Sequence, residues 1–380
     1  MTDPTHPNRR SVLASVAGLG LAGIVPPVGR PPHGFGPIPA NPLSGSLSNL
    51  QLAGQRVIYS YPGLTPPAEL LTDIKNGQVA GVIFFGENIS SESQIAGVIK
   101  QLRQAQAASP VRLPLLLMTD QEGGEVARLP GAPTMSEKQI GASSNPAGEA
   151  ATAGTGAGQN LAGVGMNVNL APVLDVFYTA GDFDDQYQRS YSSNPSIAGE
   201  CGRAFVAAQQ ATGVAATAKH FPGLGSATAS QNTDSGPVTL NVTLSQLRGT
   251  DEAPYPAAVA AGVKLVMVSW ATYPALDPSL PAGLSPAVVQ QELRSRNNFT
   301  GVTITDALEA GALGAFGTTQ QRAVAAANAG MDLILCSARD VSQGEKAAAA
   351  LASAYASGQL QAQPFDEAVN RITALRVSVD

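Results

Sequence analysis

Short apolar runs recur along the chain, and the stretches between them mix polar and apolar residues at helical spacing. Apolar and β-branched residues dominate each run, as expected for strands buried on both faces. Eight such runs lie at 56–61, 81–86, 113–120, 165–175, 216–221, 265–270, 301–306 and 331–336. The pattern therefore predicts eight strands, each followed by helical sequence.

Amphipathic stretches between the runs, such as 91–107 and 284–297, are typical of helices packed on a sheet. Eight strand–helix units favour an α/β fold, a single-domain (β/α)8 TIM barrel. An open doubly wound sheet is the alternative. It is less favoured because no Gly-rich phosphate loop follows the first run.

Composition narrows the class of protein. The chain has 380 residues, 44% of them hydrophobic, with 13% charged residues and a net charge of −6. Because Lys and Arg form no cluster, nucleic-acid binding has little support. Cys201 and Cys336 are the only cysteines, and two buried free thiols are favoured over a disulfide. No Cys and His spacing indicates a metal site, so no metal is expected.

The N-terminus carries a targeting pattern. Arg9 and Arg10 precede a weakly apolar stretch over 11–25 that is too short for a membrane span of about 20 residues. This pattern predicts a twin-arginine signal over 1–25, and a chance Arg pair in a disordered tail is the alternative. A disordered Pro- and Gly-rich linker is expected over 26–48 and the barrel over 49–380. The protein would then be exported to the periplasm, cell envelope or exterior.

Polar residues end several of the predicted strands. They are Asn88, Asp120, Asp175, Lys219, His220 and Asp306. A barrel places its active site at the C-terminal ends of its strands, and a partly buried carboxylate there must be paired or used. The sequence therefore predicts a polar site at this end of the barrel.

A set of motifs resembles a known family. In order they are "GVIFFGENI", "TDQEGGEVARL", "NLAPVLDV", "RSYSSNP", "KHFPG", "MVSWATYPALDP" and "GVTITDALEAGAL", covering roughly residues 50 to 378. The combination resembles the N-terminal barrel domain of glycoside hydrolase family 3, and in particular its single-domain β-N-acetylglucosaminidases.

The resemblance implies a retaining glycosidase that acts on a carbohydrate containing GlcNAc, without a metal or organic cofactor, as a monomer. Asp306 matches the nucleophile, and a helix N-cap is its structural alternative. Asp120, Arg128, Arg189, Lys219 and His220 match the residues that hold the sugar. Ion pairs are the structural alternative for the two arginines. Asp175 is expected only to orient its neighbours.

One position departs from the resemblance. The family's Asp-Ser-His motif reads Asp234, Ser235, Gly236 here, so the acid/base His is missing and Asp234 is the remaining candidate catalytic residue of the loop. The chain has three histidines: His6 lies in the expected signal, His33 in the expected linker and His220 in the expected sugar site. None is therefore left over to take the acid/base role.

Further departures lie nearby: Glu125 replaces an Arg, Leu224 replaces a polar residue, and Trp270 replaces a His. Trp270 would either stack on a sugar or fill the core.

Two functions stay open. One is an exo-β-N-acetylhexosaminidase for cell-wall-type glycans, weakened by the loss or with Asp234, Glu125 or Glu309 as substitute acid. The other is an exported sugar-binding protein without turnover.

Overall fold

The computed structural model describes residues 47–379. The expected signal over 1–25 lies outside the described residues, as does the expected linker over 26–48 except for its last two positions. Ser48 already belongs to the folded part, because its Oγ accepts a hydrogen bond from the Gln51 amide at 3.2 Å and caps the first helix.

Over residues 47–379, eight parallel strands form one sheet that closes into a ring. The strands are β1 (Val57–Tyr59), β2 (Gly81–Ile83), β3 (Leu116–Thr119), β4 (Val168–Asn169), β5 (Ala215–Phe221), β6 (Leu265–Val268), β7 (Val302–Thr305) and β8 (Ile334–Leu335). Neighbours in sequence are neighbours in the sheet, β8 pairs with β1, and a parallel bridge from Ile304 to Leu333 joins β7 to β8. The predicted (β/α)8 barrel is confirmed.

Helices alternate with the strands and surround the ring. They are α1 (Asn49–Gly54), α2 (Ala68–Lys75), α3 (Glu92–Ala107), α4 (Glu137–Gly141), α5 (Pro146–Val164), α6 (Phe183–Gln186), α7 (Pro195–Gln210), α8 (Leu244–Gln246), α9 (Tyr255–Ala260), α10 (Thr319–Ala329), α11 (Val341–Ala356) and α12 (Ala362–Ser378). Asn145 and Asn194 cap α5 and α7 just before a first-turn proline, which is a strong local start signal. The predicted helix at 284–297 forms as a π-helix over Ala287–Arg296.

Strand residues are buried on both faces, which explains their unbroken apolar runs. In β1, Ile58 joins the cluster inside the ring, whereas Val57 and Tyr59 join the cluster beneath the helices. Leu116 and Met118 of β3 alternate with Leu117 in the same way. Successive strand residues thus alternate between the inside and the outside of the ring. Both sets of positions are apolar because neither face of the sheet contacts water.

The C-terminal helix closes the bottom of the ring, away from the strands' carboxyl ends. Ile372 and Leu375 of α12 join the interior cluster. The buried Arg376 guanidinium donates to the carbonyls of Leu113 and Pro114, just before β3. Among residues 47–379, side chains of α12 thus fill this end of the ring, and the opposite end is left for a ligand.

Two smaller expectations concern the described part of the chain. Cys201 and Cys336 are both buried and free, as predicted. Between residues 47 and 379, we find no helix with the length and apolar character needed to cross a bilayer.

Candidate active site

A cavity of about 400 Å³ opens where the strands end. Its floor is apolar, with Ile83, Leu170, Met267 and Leu335 rising from the barrel interior. Seven of the residues that the sequence singled out for catalysis or sugar binding line its wall: Asp120, Arg128, Arg189, Lys219, His220, Asp234 and Asp306. The structure thus brings these seven together, while their individual roles stay predictions.

Lys219 is the centre of a buried charge network. It is only 2% exposed, and its Nζ lies 2.7 Å from both Asp120 Oδ1 and Glu122 Oε1. Burial lowers the pKa of Lys219, but Asp120 and Glu122 outweigh it and the net shift is upward. The ammonium therefore stays charged and keeps one proton for a ligand.

Arg189 extends this network from the loop after β4. Its Nε and Nη2 donate to the two carboxylate oxygens of Glu122 at 2.9 and 3.0 Å, and its Nη1 donates to Asp184 Oδ1 at 2.6 Å. Burial raises the pKa of Glu122, but Arg189 and Lys219 overcome that effect and hold the pKa at about 2. The interleaved charges fix the cations in place, so they meet a ligand without reorganising.

His220 is oriented by Asp175, as the sequence indicated. Its Nδ1 donates to Asp175 Oδ2 at 2.7 Å, while Oδ1 accepts from the amides of His220 and Leu224. Burial lowers the pKa of His220, but the Asp175 carboxylate reverses the shift and raises it. Because Nδ1 is engaged, Nε2 is the ring nitrogen left for a ligand.

One group of side chains in residues 47–379 has a geometry close to that of a metal site. The ligating atoms of Asp175, Asp184 and His220 lie within 4.8 Å of one another. The hydrogen bonds already described engage both oxygens of Asp175 and one of Asp184. The second oxygen of Asp184 is buried and has no hydrogen-bond partner among the described residues.

Asp306 directly follows β7 and reaches the cavity wall. Its Oδ1 accepts a hydrogen bond from the Ala307 amide at 2.7 Å. The alternative role as a helix cap is not met, because the next helical segment begins at Gly311 and its N-cap residue is Ala310. The second carboxylate oxygen is thus available to a reacting atom.

Asp234 lies on the loop after β5, which is fastened to the loop after β7. The amides of Gly311 and Ala312 donate to the carbonyls of Asp234 and Thr233 at 2.8 and 2.9 Å. Asp234 is exposed as a residue, yet its carboxyl lines the cavity, and its partial burial and the charge of Asp306 raise its pKa. A carboxyl with a raised pKa near a second carboxyl is the usual arrangement of an acid and a nucleophile.

Gly236 and the two other acid candidates do not line the cavity. Glu125 is exposed on a hairpin that follows β3 and accepts a hydrogen bond from Gln188 at 3.3 Å. Glu309 is held by Ser337 Oγ at 2.8 Å and by Gln343 Nε2 at 3.0 Å. Among the carboxylates proposed to replace the missing imidazole, Asp234 alone is placed to do so.

Trp270 is a core residue and not a sugar platform. It is 1% exposed, lies outside the cavity wall, and packs so tightly against Gly283 that a Cβ there would come within 2.5 Å of its ring. Its Nε1 donates to the Ala307 carbonyl at 2.8 Å. Trp270 therefore holds the carbonyl of the same residue, Ala307, whose amide binds Asp306.

Arg128 contributes a different kind of cation. Its amide is fixed by Asp120 O at 3.2 Å and Gln121 Oε1 at 2.9 Å. Its buried side-chain Nε finds no hydrogen-bond partner among the described residues. A buried donor without a partner in a polar cavity is a strong indication that a ligand supplies the acceptor.

Sequence reasoning missed several residues of the site. Glu122 lies inside the quoted "DQEGG" motif but received no role, although it joins Lys219 to Arg189. Asp184 had no signal to separate it from its acidic neighbours. Phe183, Tyr187 and Asn232 also line the cavity, and only their position in long loops after strands could have suggested it.

Comparison with known proteins identifies the family. The model of the glycosyl hydrolase family 3 N-terminal domain matches residues 50–375. The chain belongs to glycosyl hydrolase family 3. A protein of Arthroderma benhamiae described as a secreted glycosyl hydrolase is 45% identical over 326 residues, which is 85% of this chain and 92% of that one.

Solved structures of this family share the fold. A β-N-acetylglucosaminidase from Paenibacillus sp. superposes with a TM-score of 0.82 at 34% identity, covering 88% of this chain but only 63% of that one. A β-N-acetylhexosaminidase from Beutenbergia cavernae gives 0.79 at 32% identity, covering 87% of this chain and 99% of that one. The chain therefore corresponds to nearly the whole of some relatives and to part of others.

Proposed function

We propose that the protein is a retaining exo-β-N-acetylhexosaminidase that removes terminal GlcNAc from cell-wall-type glycans. One observation carries the proposal: Asp306 and Asp234 line one cavity together with a buried and preorganised set of hydrogen-bond donors. The names of the relatives, a β-N-acetylglucosaminidase and a β-N-acetylhexosaminidase, support the same substrate class.

The reaction divides into two displacements. Asp306 attacks the anomeric carbon while protonated Asp234 gives its proton to the departing oxygen, leaving a glycosyl ester on Asp306. Asp234, now a carboxylate, takes a proton from water, whose oxygen attacks the anomeric carbon and frees Asp306. Asp120, Arg128, Arg189, Lys219 and His220 hold the sugar hydroxyls throughout.

The acid step is the weak point of this site. An imidazole titrates near neutral pH, whereas the pKa of Asp234 rises from a much lower ordinary value. Gly236 supplies no imidazole to share this step, and general acid assistance is typically worth roughly 10² to 10⁴ in rate. We expect hydrolysis to be slow on unactivated glycosides and less affected on activated ones.

A sugar-binding protein without turnover is the second candidate. It is favoured by Gly236, which carries no proton donor and does not line the cavity. Such a protein would keep the buried Lys219–Glu122–Arg189 network for binding alone.

Turnover of an aryl β-N-acetylglucosaminide separates the two candidates. We expect wild type to release the aryl group, Asp306→Asn to abolish release, and the control Glu92→Gln, an exposed carboxylate on α3, to leave it unchanged. Binding of GlcNAc by calorimetry without any turnover would instead establish the sugar-binding protein. Turnover that survives Asp306→Asn would refute the nucleophile assignment.

Export is also proposed. The description of the A. benhamiae relative as secreted supports it, while the twin-arginine route rests on the sequence of residues 1–25 alone. Replacing Arg9 and Arg10 with Lys should stop export by that route. Unchanged appearance of the variant outside the cytoplasm would exclude it.

A further inference from the structure

The loop that carries the proposed acid is held from three sides. This acid loop, residues 222–243, follows β5 and ends where α8 begins. Its Ala227 carbonyl accepts from the Phe183 amide at 2.8 Å, and its Val238 carbonyl accepts from the Thr272 amide at 2.9 Å. These bonds tie it to the segments after β4 and β6. The third attachment is the pair of hydrogen bonds, already described, from the segment after β7.

The third attachment brings two backbones together with no side chain between them. Gly311 begins the short 3₁₀ helix Gly311–Phe316, shortly after Asp306. A Cβ added to Gly311 would lie 2.6 Å from the carbonyl carbon and oxygen of Ser235 and 2.8 Å from the Asp234 oxygen. Real Cβ atoms essentially never come closer than 3.0 Å to another heavy atom, and backbone atoms cannot rotate away. Any larger residue at 311 would therefore push the acid loop outward.

Such a displacement would carry Asp234 with it. The Asp234 amide donates to Asn232 Oδ1 at 2.8 Å. The amides of Ser235 and Gly236 donate to the Asn232 carbonyl at 3.1 and 3.2 Å. Because these bonds close residues 232–236 into one turn, the turn moves as a unit when Ser235 is pushed.

Position 311 requires close packing and not a special backbone conformation. The φ of Gly311 lies outside the left-handed region, so an alanine can adopt its backbone. Gly314 belongs to the same 3₁₀ helix and also has an ordinary φ, but a Cβ there would meet no described atom within 4 Å. The two glycines thus differ in their contact with the acid loop.

We propose that Gly311 is a positioning residue for the acid: its missing side chain lets the acid loop pack on the segment after Asp306 and so brings the Asp234 carboxyl to the scissile bond. This inference rests on the proposed function. An imidazole extends further from its backbone than the carboxyl of an aspartate does. A site that relies on Asp234 in place of the missing imidazole therefore needs its acid loop closer to the substrate.

Gly311→Ala separates positioning of the acid from a general structural role. Values of kcat/KM report the reaction up to departure of the leaving group, the step in which Asp234 is the acid. A misplacement of about 1 Å can cost roughly 10²-fold in rate, so we expect a fall of about 10-fold to 100-fold on chitobiose. A dinitrophenyl β-N-acetylglucosaminide needs almost no protonation, and its kcat/KM should fall by less than about threefold. Gly314→Ala, the matched control, should change neither value.

Two further readouts depend on Asp234 itself. In the Asp234→Asn background, Gly311→Ala should cause no further loss on chitobiose, because the loop then has no acid to position. Burial and the charge of Asp306 raise the pKa of Asp234, and an outward shift of the loop weakens both effects. The alkaline limb of the pH profile of kcat/KM on chitobiose should therefore move to lower pH in Gly311→Ala.

The outcomes distinguish this inference from the proposed function. Equal loss on both substrates, no loss on chitobiose, or an additive loss in the double variant would overturn the role of Gly311 while wild type still hydrolyses both substrates. Wild type that hydrolyses neither substrate would refute the proposed function, and this inference with it.

Discussion

Returning the imidazole to residue 236 is the most informative change to the acid step. Gly236 has an ordinary φ, and a Cβ added there meets no atom within 4 Å. Gly236→His should therefore fold normally, with a change in the free energy of unfolding within about 1 kcal/mol. A change in rate can then be attributed to the new side chain.

The expected gain depends on the leaving group. A dinitrophenyl glycoside needs almost no protonation, so its kcat/KM should change by less than about threefold, whereas full acid assistance is worth roughly 10² to 10⁴. Because Asp234 already supplies part of this assistance, we expect a gain of about 10² or less on a methyl glycoside or chitobiose. A gain near 10⁴ on these poor leaving groups would mean that Asp234 donates no proton.

Gly236→Ala is the matched control, since it changes the backbone preference of the loop but adds no imidazole. Steady-state kcat/KM values for the three proteins on both substrates form the assay. The reasoning is refuted if the His variant gains equally on both substrates, or if the Ala variant reproduces the gain.

Other predictions concern the charges of the site and of the barrel. We expect kcat/KM of wild type to fall as pH rises through the raised pKa of Asp234, and Asp234→Asn should remove that fall; an unchanged alkaline limb in the pH–rate profile of the variant would contradict this. Lys219→Met should cost about 3–5 kcal/mol of unfolding free energy in urea, because Glu122 and Asp120 lose a buried partner, and a loss below about 1 kcal/mol would argue against the network. Burial raises the pKa of Asp251 to about 7, so the folded state binds its proton more tightly and stability falls as pH rises from about 4 to 7. Asp251→Asn should flatten that fall by about 1.4 kcal/mol per unit of pKa difference, and parallel stability curves for the two proteins would contradict it.

The barrel could be predicted from the sequence because its strands have two dry faces. Apolar and β-branched residues dominate runs such as 81–86 and 301–306, and polar residues follow several of the runs where the barrel opens. The positions of Asp120, Lys219 and Asp306 followed from this rule, since strand ends in a closed barrel converge whatever the loops do.

The loops could not be predicted in this way. Tyr187 and Arg339 reach the cavity from segments without periodicity, and the position of Arg339 requires a left-handed backbone that nothing in "CSARD" signals. The role of Trp270 could not be decided from the sequence, because an aromatic residue buried in the core and one that stacks on a sugar have the same sequence pattern. Only its packing against Gly283 decides in favour of the core.

Trapping the glycosyl-enzyme tests the central claim most directly. Wild type is mixed with a dinitrophenyl β-N-acetylglucosaminide, quenched in acid, digested and examined by peptide mass spectrometry. The two-step mechanism on Asp306 predicts one N-acetylhexosaminyl residue on the peptide containing Asp306, absent from Asp306→Asn and longer-lived in Asp234→Asn, where no base activates the water. Continued release of dinitrophenol with no adduct on that peptide, or with the sugar attached to Asp234, would contradict the account.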